Sequence, residues 1–293
     1  MTPQPATSAA RRRAILCVCG SSALFTIASA LIKALGSDMP SIEVAFFRSS
    51  IAVLVMLALL ARNGRWVHLR TSRPWGHVTR TLFGFSSMLA AYYGYSHLPL
   101  ALSTAIGFAM PIVLCLLSGP MLGEKVGRGR MLAALVGLSG VLIMLRPWQV
   151  GAVPVLPVLV VLSGVVVWAL AMISIRKLGA QGENNTTIVL WFSFGCTALA
   201  GFGVLPFWVT PHGWQLAALI GLGLLSAVAQ ILMTQAYRSA ESAFVAPFEY
   251  GAIIYAALFG LIFWGEVPDL ASLLGIAILI GSGFAVWRQA GKT

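Results

Sequence analysis

Residues 14–35 read AILCVCGSSALFTIASALIKAL, an apolar run whose single charge, Lys33, stands near its end. A helix rises about 1.5 Å per residue, so such a run crosses a hydrocarbon core about 30 Å thick. Arg11, Arg12 and Arg13 precede it, as basic residues precede the core of a signal peptide. Signal cores are only about 7–15 residues long, and this run is expected to remain as a first membrane helix.

The same reading extends outward along the chain. Further apolar stretches cover 41–61, 77–97, 100–122, 131–146, 153–175, 186–207, 214–236, 242–264 and 269–287, making ten in all. Pro, Gly and charged residues collect in the breaks, as in Gly36-Ser37-Asp38-Met39-Pro40, Thr71-Ser72-Arg73-Pro74, Gly123-Glu124-Lys125, Arg146-Pro147, Gly182-Glu183-Asn184-Asn185 and Gly265-Glu266-Val267-Pro268. These connections are too short for a soluble domain. Hydrophobic residues make up 59% of the 293 and charged residues 9%, far below the quarter or so that a water-soluble surface needs. The fold class expected is therefore an all-α membrane protein with ten transmembrane helices.

The charge of +11 does not point to nucleic acid, because Lys and Arg are spread in short clusters between apolar runs instead of forming one basic face. With a cytoplasmic N-terminus, sixteen fall on the inner side: Arg11, Arg12, Arg13, Arg62, Arg65, Arg70, Arg73, Arg80, Lys125, Arg128, Arg130, Arg176, Lys177, Arg238, Arg288 and Lys292. Three remain for the outer half: Lys33, Arg48 and Arg146. The positive-inside rule then puts both termini of a multi-pass bacterial inner-membrane protein in the cytoplasm. Cys17, Cys19, Cys115 and Cys196 all lie within apolar stretches and read as ordinary buried thiols, with no disulfide framework.

An offset of about 142 residues relates the two halves. Gly123-Glu124 returns as Gly265-Glu266, Tyr95 as Tyr237, Ala101 as Ala243 and Phe108 as Tyr250. The last helix of each half carries a small-xxx-small pair, Ala133 with Gly137 and Ala277 with Gly281. Five spans per half is an odd number, so the second half enters the membrane in the opposite direction. Inverted repeats of this kind recur in secondary transporters, with the substrate site between the halves.

With Lys33, Glu43-Val44-Ala45-Phe46-Phe47-Arg48, Leu98-Pro99 through Met110-Pro111 to Gly123-Glu124, Trp168 followed by Arg176-Lys177, and Gly265-Glu266, the chain resembles the EamA family of ten-helix permeases in the drug/metabolite transporter superfamily. The resemblance covers essentially the whole length. It implies two EamA-type five-helix repeats, residues 1–147 and 148–293. The stretch from Glu43 to Arg48, with Thr71-Ser72-Arg73-Pro74 and Ile106 to Pro111, is similar to S-adenosylmethionine uptake permeases, while related permeases carry riboflavin, amino acids or metallophores. One departure is Pro247-Phe248-Glu249-Tyr250, which places a carboxylate where many relatives have an apolar or small residue.

Charges at bilayer depth cost a few kcal/mol unless they face water or a partner, so each is a functional candidate. Glu249 lies about seven residues into its span, roughly 10 Å deep. It can bind a substrate cation, carry a coupling proton, or simply make an interhelical hydrogen bond. Arg48 lies roughly 10 Å deep from the other face, either facing a ligand or paired with Glu43. Lys33 is close enough to the outer end to snorkel. Gln230, Gln235, Tyr92 and Tyr93 can orient a polar ligand or join helices. Trp168, Phe108 and Tyr250 can stack on a flat or cationic group or pack in the core. Tyr95, Trp208 and Trp264 read as interfacial anchors.

Enzyme motifs are missing: there is no HExxH, no GxSxG and no nucleotide-binding loop. The expectation is a gradient- or exchange-driven transporter of a small polar metabolite, zwitterionic or cationic, such as an amino acid or S-adenosylmethionine. Export of a metallophore, riboflavin or a drug-like compound is the alternative, and a non-transporting membrane scaffold the rival of another class. No cofactor, metal or nucleic-acid partner is expected; the lipid bilayer and a small-molecule substrate are, and a homodimer is compatible.

Overall fold

The computed structural model describes residues 8–36, 39–64, 70–107, 109–123, 128–145, 154–240, 242–245, 248–249 and 252–290. These are almost entirely helical, in the order α1 (Ser8–Leu35), α2 (Ser41–Asn63), α3 (Pro74–His97), α4 (Leu100–Gly107), α5 (Met110–Leu122), α6 (Arg128–Leu145), α7 (Val155–Ala180), α8 (Asn185–Val204), α9 (Trp214–Ser239), α10 (Ser242–Val245), α11 (Ala252–Trp264) and α12 (Leu270–Ala290).

Among the described residues, five helices are long and apolar enough to cross a membrane: α1, α2, α7, α8 (with the 3-10 turn Leu205–Phe207) and α9. Shorter apolar helices lie at Ile112–Leu122, Leu135–Met144, Tyr255–Trp264 and Leu270–Ser282. Helix α3 is as long but more polar, because it turns His77 and Arg80 into the bundle. The expected span 100–122 is divided between α4 and α5, whose first turn contains Pro111. A proline there lacks the N–H that would continue the preceding helix. The stretch 242–264 is likewise divided between α10 and α11, with Phe248 and Glu249 in a 3-10 turn between them.

The glycine of the repeated Gly-Glu pair has a definite job. Gly123 (φ 68°) ends α5 and Gly265 (φ 66°) ends α11, both in the left-handed conformation that costs a side chain energy but not glycine. Gly123 N donates to Gly119 O, and Gly265 N donates to Leu261 O. Glu266 N then donates to Gly260 O, satisfying a second carbonyl of the last turns of α11. Glu124 lies outside the described residues.

Contacts between helix ends show that the helices alternate in direction. At one end of the bundle, Lys33 at the end of α1 donates to Leu98 O after α3, and Leu100 N at the start of α4 donates to Glu266 after α11. Val209 N, beyond α8, donates there to Glu43 in the first turn of α2. At the opposite end, Thr71 before α3 donates to Glu183 between α7 and α8, and Arg238 at the end of α9 donates to Glu183 O. Large apolar side chains such as Leu54, Phe202, Ile262 and Phe263 are exposed, a surface suited to lipid.

The main helix pairs are α1 with α9, α3 with α7, α6 with α12, and α2 with α8 and α9. In lipid such pairs depend on close backbone approach at small residues. A Cβ at Gly275 would stand 2.6 Å from Gly140 O, and one at Gly140 would stand 2.8 Å from Gly275 O, so α6 and α12 touch main chain to main chain. Gly137 faces Ser282 across the same crossing. The expected Ala277–Gly281 pair is not at this crossing: Gly281 is exposed with nothing near its would-be Cβ, because Gly275 turns a different face toward α6. Cys19 is exposed as well, not a buried thiol, whereas Cys196 is buried.

Gly275→Ala should lower the unfolding temperature in detergent, with a loss of about 1–3 kcal/mol from overpacking. Gly281→Ala, which meets open space, should leave it unchanged.

Candidate functional site

Two adjoining cavities lie among α1, α3, α7 and α9, with volumes of about 100 Å³ and about 160 Å³. They share Phe25, Ser29, Ser87, Tyr95, Trp168 and Met233 in their walls, so they form two lobes of one interior space. The smaller lobe reaches Ser21, Ser22, Thr26 and Glu249. The larger reaches Arg48, Arg80, Tyr92, Phe192 and Gln230.

The α1 wall is a stripe of small hydroxyls that the helix itself satisfies. Ser21 donates to Val18 O, Thr26 to Ser22 O and Ser29 to Phe25 O, at 2.8–2.9 Å. Each hydroxyl is thereby paired in lipid yet keeps lone pairs toward the cavity. Trp168, on α7, lines both lobes and presents an indole at their junction.

Glu249 is 6% exposed and accepts a hydrogen bond from Tyr237 Oη at 2.9 Å. The break between α10 and α11 brings it into the smaller lobe. Tyr237, at the end of α9, is a partner that the sequence reading named only as the counterpart of Tyr95. Arg48 is 8% exposed on α2. Its Nη1 lies 2.6 Å from Met88 Sδ, its Nη2 is 3.5 Å from Gln230 Oε1, and its Cζ stands 5.8 Å from the Phe25 ring centre. Gln230 donates in turn to Thr234 Oγ1.

Arg48 is not paired with Glu43. The carboxylate of Glu43, fully buried, accepts instead from Val209 N at 3.0 Å, because it sits a turn and a half closer to the helix end. Arg80 is also misplaced by its sequence position. Near the start of α3 it counted among the inner-side cations, yet it is 2% exposed and lies over the Phe192 ring at 3.9 Å. The rotation of α3 turns it into the bundle. Tyr95, expected as an interfacial anchor, lines both lobes for the same reason.

Other expected site residues lie elsewhere. Lys33 forms an ion pair with Glu266 at 2.7 Å and stands 5.5 Å from the Trp264 ring centre. Tyr93 stacks on His97, and Gln235 donates to Ser239. Trp208 packs against Phe46 and Phe47. Phe108, Tyr250 and Pro247 lie outside the described residues. The structure therefore brings together Glu249, Trp168, Arg48, Tyr92 and Gln230, and leaves Lys33, Tyr93 and Gln235 outside the cavity.

Known proteins carry the same sequence pattern. Residues 12–146 and 155–288 each match the EamA-like transporter family. A riboflavin transporter of Rhizobium johnstonii is 31% identical over 85% of this chain and 82% of its own. A pseudopaline exporter of Pseudomonas aeruginosa is 28% identical over 90% of this chain and 92% of its own. An S-adenosylmethionine uptake transporter of Rickettsia prowazekii is 28% identical over 87% and 85% respectively. A solved crystal structure, 19% identical, covers 97% of both chains with a TM-score of 0.72, which speaks for the shared fold alone. An all-helical bundle with membrane-length apolar helices and two stretches matched to one family makes this chain a multi-pass membrane protein of the EamA-like transporter family.

Proposed function

We propose that the protein is a secondary transporter of a small polar metabolite, zwitterionic or cationic, in the bacterial inner membrane with both termini in the cytoplasm. The carrying observation is the two-lobed interior cavity, with Glu249 at one end, Arg48 at the other and Trp168 between them. Such a space can be polar at both ends and aromatic in the middle without meeting lipid. Trp168 offers a face for a flat or cationic group, and Glu249 either a counter-charge or a proton site. Tyr92 and Gln230 add neutral polar groups that orient a ligand without holding it too tightly for release.

The architecture we propose is two five-helix repeats, residues 1–147 and 148–293, of opposite orientation. The separate family matches to residues 12–146 and 155–288 support it. So does the helix pairing, which maps onto itself when the halves are exchanged. With α1 corresponding to α7 and α3 to α9, the pair α1·α9 becomes α7·α3, and α2·α9 becomes α8·α3. The pairs α2·α8 and α6·α12 map onto themselves. Alternating access then arises from rocking one half against the other around the cavity. Relatives include proteins named for uptake and for export, and direction follows from the coupling gradient, not from the fold.

In proteoliposomes the protein should show saturable, counterflow-competent flux of a zwitterionic or cationic metabolite. No flux across a broad metabolite panel, with the protein folded, would favour a scaffold. Glu249→Gln should lose transport or its pH dependence while still reaching the membrane; a rate and pH profile equal to wild type would make Glu249 structural. A reporter fused after Thr293 should respond as cytoplasmic, and a periplasmic signal would remove the topology.

A further inference from the structure

We infer that the larger lobe is an anion subsite built by Arg48 and Arg80, so that the transported molecule carries a carboxylate as well as any cationic group. This inference rests on the transporter reading and narrows it, because a purely cationic substrate no longer fits.

Two guanidinium groups from different helices, Arg48 on α2 and Arg80 on α3, line one cavity of about 160 Å³. Arginine stays charged even when buried, so the lobe carries two positive charges. Each is nine-tenths or more buried, Arg48 at 8% and Arg80 at 2% exposure. The contacts that the protein gives them are weak: a thioether and a 3.5 Å amide for Arg48, and the Phe192 ring face for Arg80. Arg80 Nε has no hydrogen-bond partner among the described residues.

All five described carboxylates are committed elsewhere. Glu43 accepts from Val209, Glu183 from Thr71, Glu266 pairs with Lys33, Asp269 accepts from Ser272, and Glu249 accepts from Tyr237 in the other lobe. A pair of buried cations with no carboxylate beside them among the described residues is costly unless something anionic completes the site. Guanidinium groups present planar forks matched to a carboxylate, and here each lies against an aromatic ring of the same wall, Arg48 near Phe25 and Arg80 on Phe192. Gly84 on α3 is part of the construction: a Cβ there would lie 2.6 Å from the Phe192 ring and 3.2 Å from Arg80 Cζ. The missing side chain makes the space in which the Arg80 guanidinium lies. With the carboxylate in this lobe, the rest of the ligand extends past Trp168 toward Glu249, where an ammonium or sulfonium finds its counter-charge.

The test is a thermal-shift titration of the purified full-length protein at fixed ionic strength. The probes are S-adenosyl-L-methionine, L-methionine, L-lysine and L-arginine, each beside its decarboxylated amine, together with sodium chloride alone. The expected result is stabilisation by at least one acid with its amine at least about tenfold weaker, since a charged hydrogen bond is lost. Arg80→Gln should erase that acid-over-amine preference, and Arg80→Lys should retain part of it. An amine that binds as well as its acid overturns the anion subsite while leaving a transporter of cations standing. Saturable stabilisation by chloride, undiminished in the presence of the acids, makes the lobe an inorganic-anion site and overturns it too. If no probe binds and no flux is found in proteoliposomes, the inference and the transporter reading fall together. The acid and amine comparison on wild-type protein decides the matter even if the Arg80 variants do not fold.

Discussion

A charge placed among apolar helices in lipid cannot fall back on water, and this constraint orders nearly every polar contact in the bundle. Lys33 meets Glu266, Glu43 takes the Val209 N–H, and Glu249 takes the Tyr237 hydroxyl. Serine and threonine hydroxyls on α1 turn back to their own helix backbone. Where two buried cations are held only by a thioether, a long amide contact and ring faces, at Arg48 and Arg80, the bundle also leaves a cavity. The packing defect and the electrostatic deficit coincide, as expected of a place built to receive something polar.

Helix positions were legible because breaks in the membrane use the strongest punctuation that sequence has. Pro40, Pro74 and Gly265 all stand at the edges of the expected stretches, and each lies at or next to a helix terminus. The repeated Gly-Glu pair was legible for the same reason, since its glycine ends a helix in a conformation that other residues resist. Glu249 and Arg48 stood out because charge is rare inside apolar runs.

The rotation of each helix about its axis was much harder to read. In a soluble protein the polar face marks the outside, but here lipid and core are both apolar, and α6, α7 and α11 give almost no periodic signal of which face turns inward. Depth along the helix was therefore the only available guide, and it misassigned residues near helix ends. Arg80 counted as a surface cation and Tyr95 as an interfacial ring, yet both turn into the cavity. Gly275 and Gly140 were likewise indistinguishable from the other glycines until the α6–α12 crossing put their backbones in contact. Partners across the bundle, such as Tyr237 for Glu249, depend on which helices are neighbours, information that a single helix does not contain.

Both ends of the bundle are fastened through carboxylates, of differing exposure. The Lys33–Glu266 pair keeps 13% and 22% of its side-chain surface exposed, so water stands ready to replace either partner as they separate. The pair belongs to a larger set of contacts, since Lys33 also donates to Leu98 O and Glu266 accepts from Leu100 N, while Glu43 at the same end is fully buried on Val209 N. Glu183, only 8% exposed and gripped by Thr71 and by Arg238 through its carbonyl, would have to be hydrated from a drier start. Parting the helices at either rim therefore means hydrating at least one carboxylate that now has a protein partner.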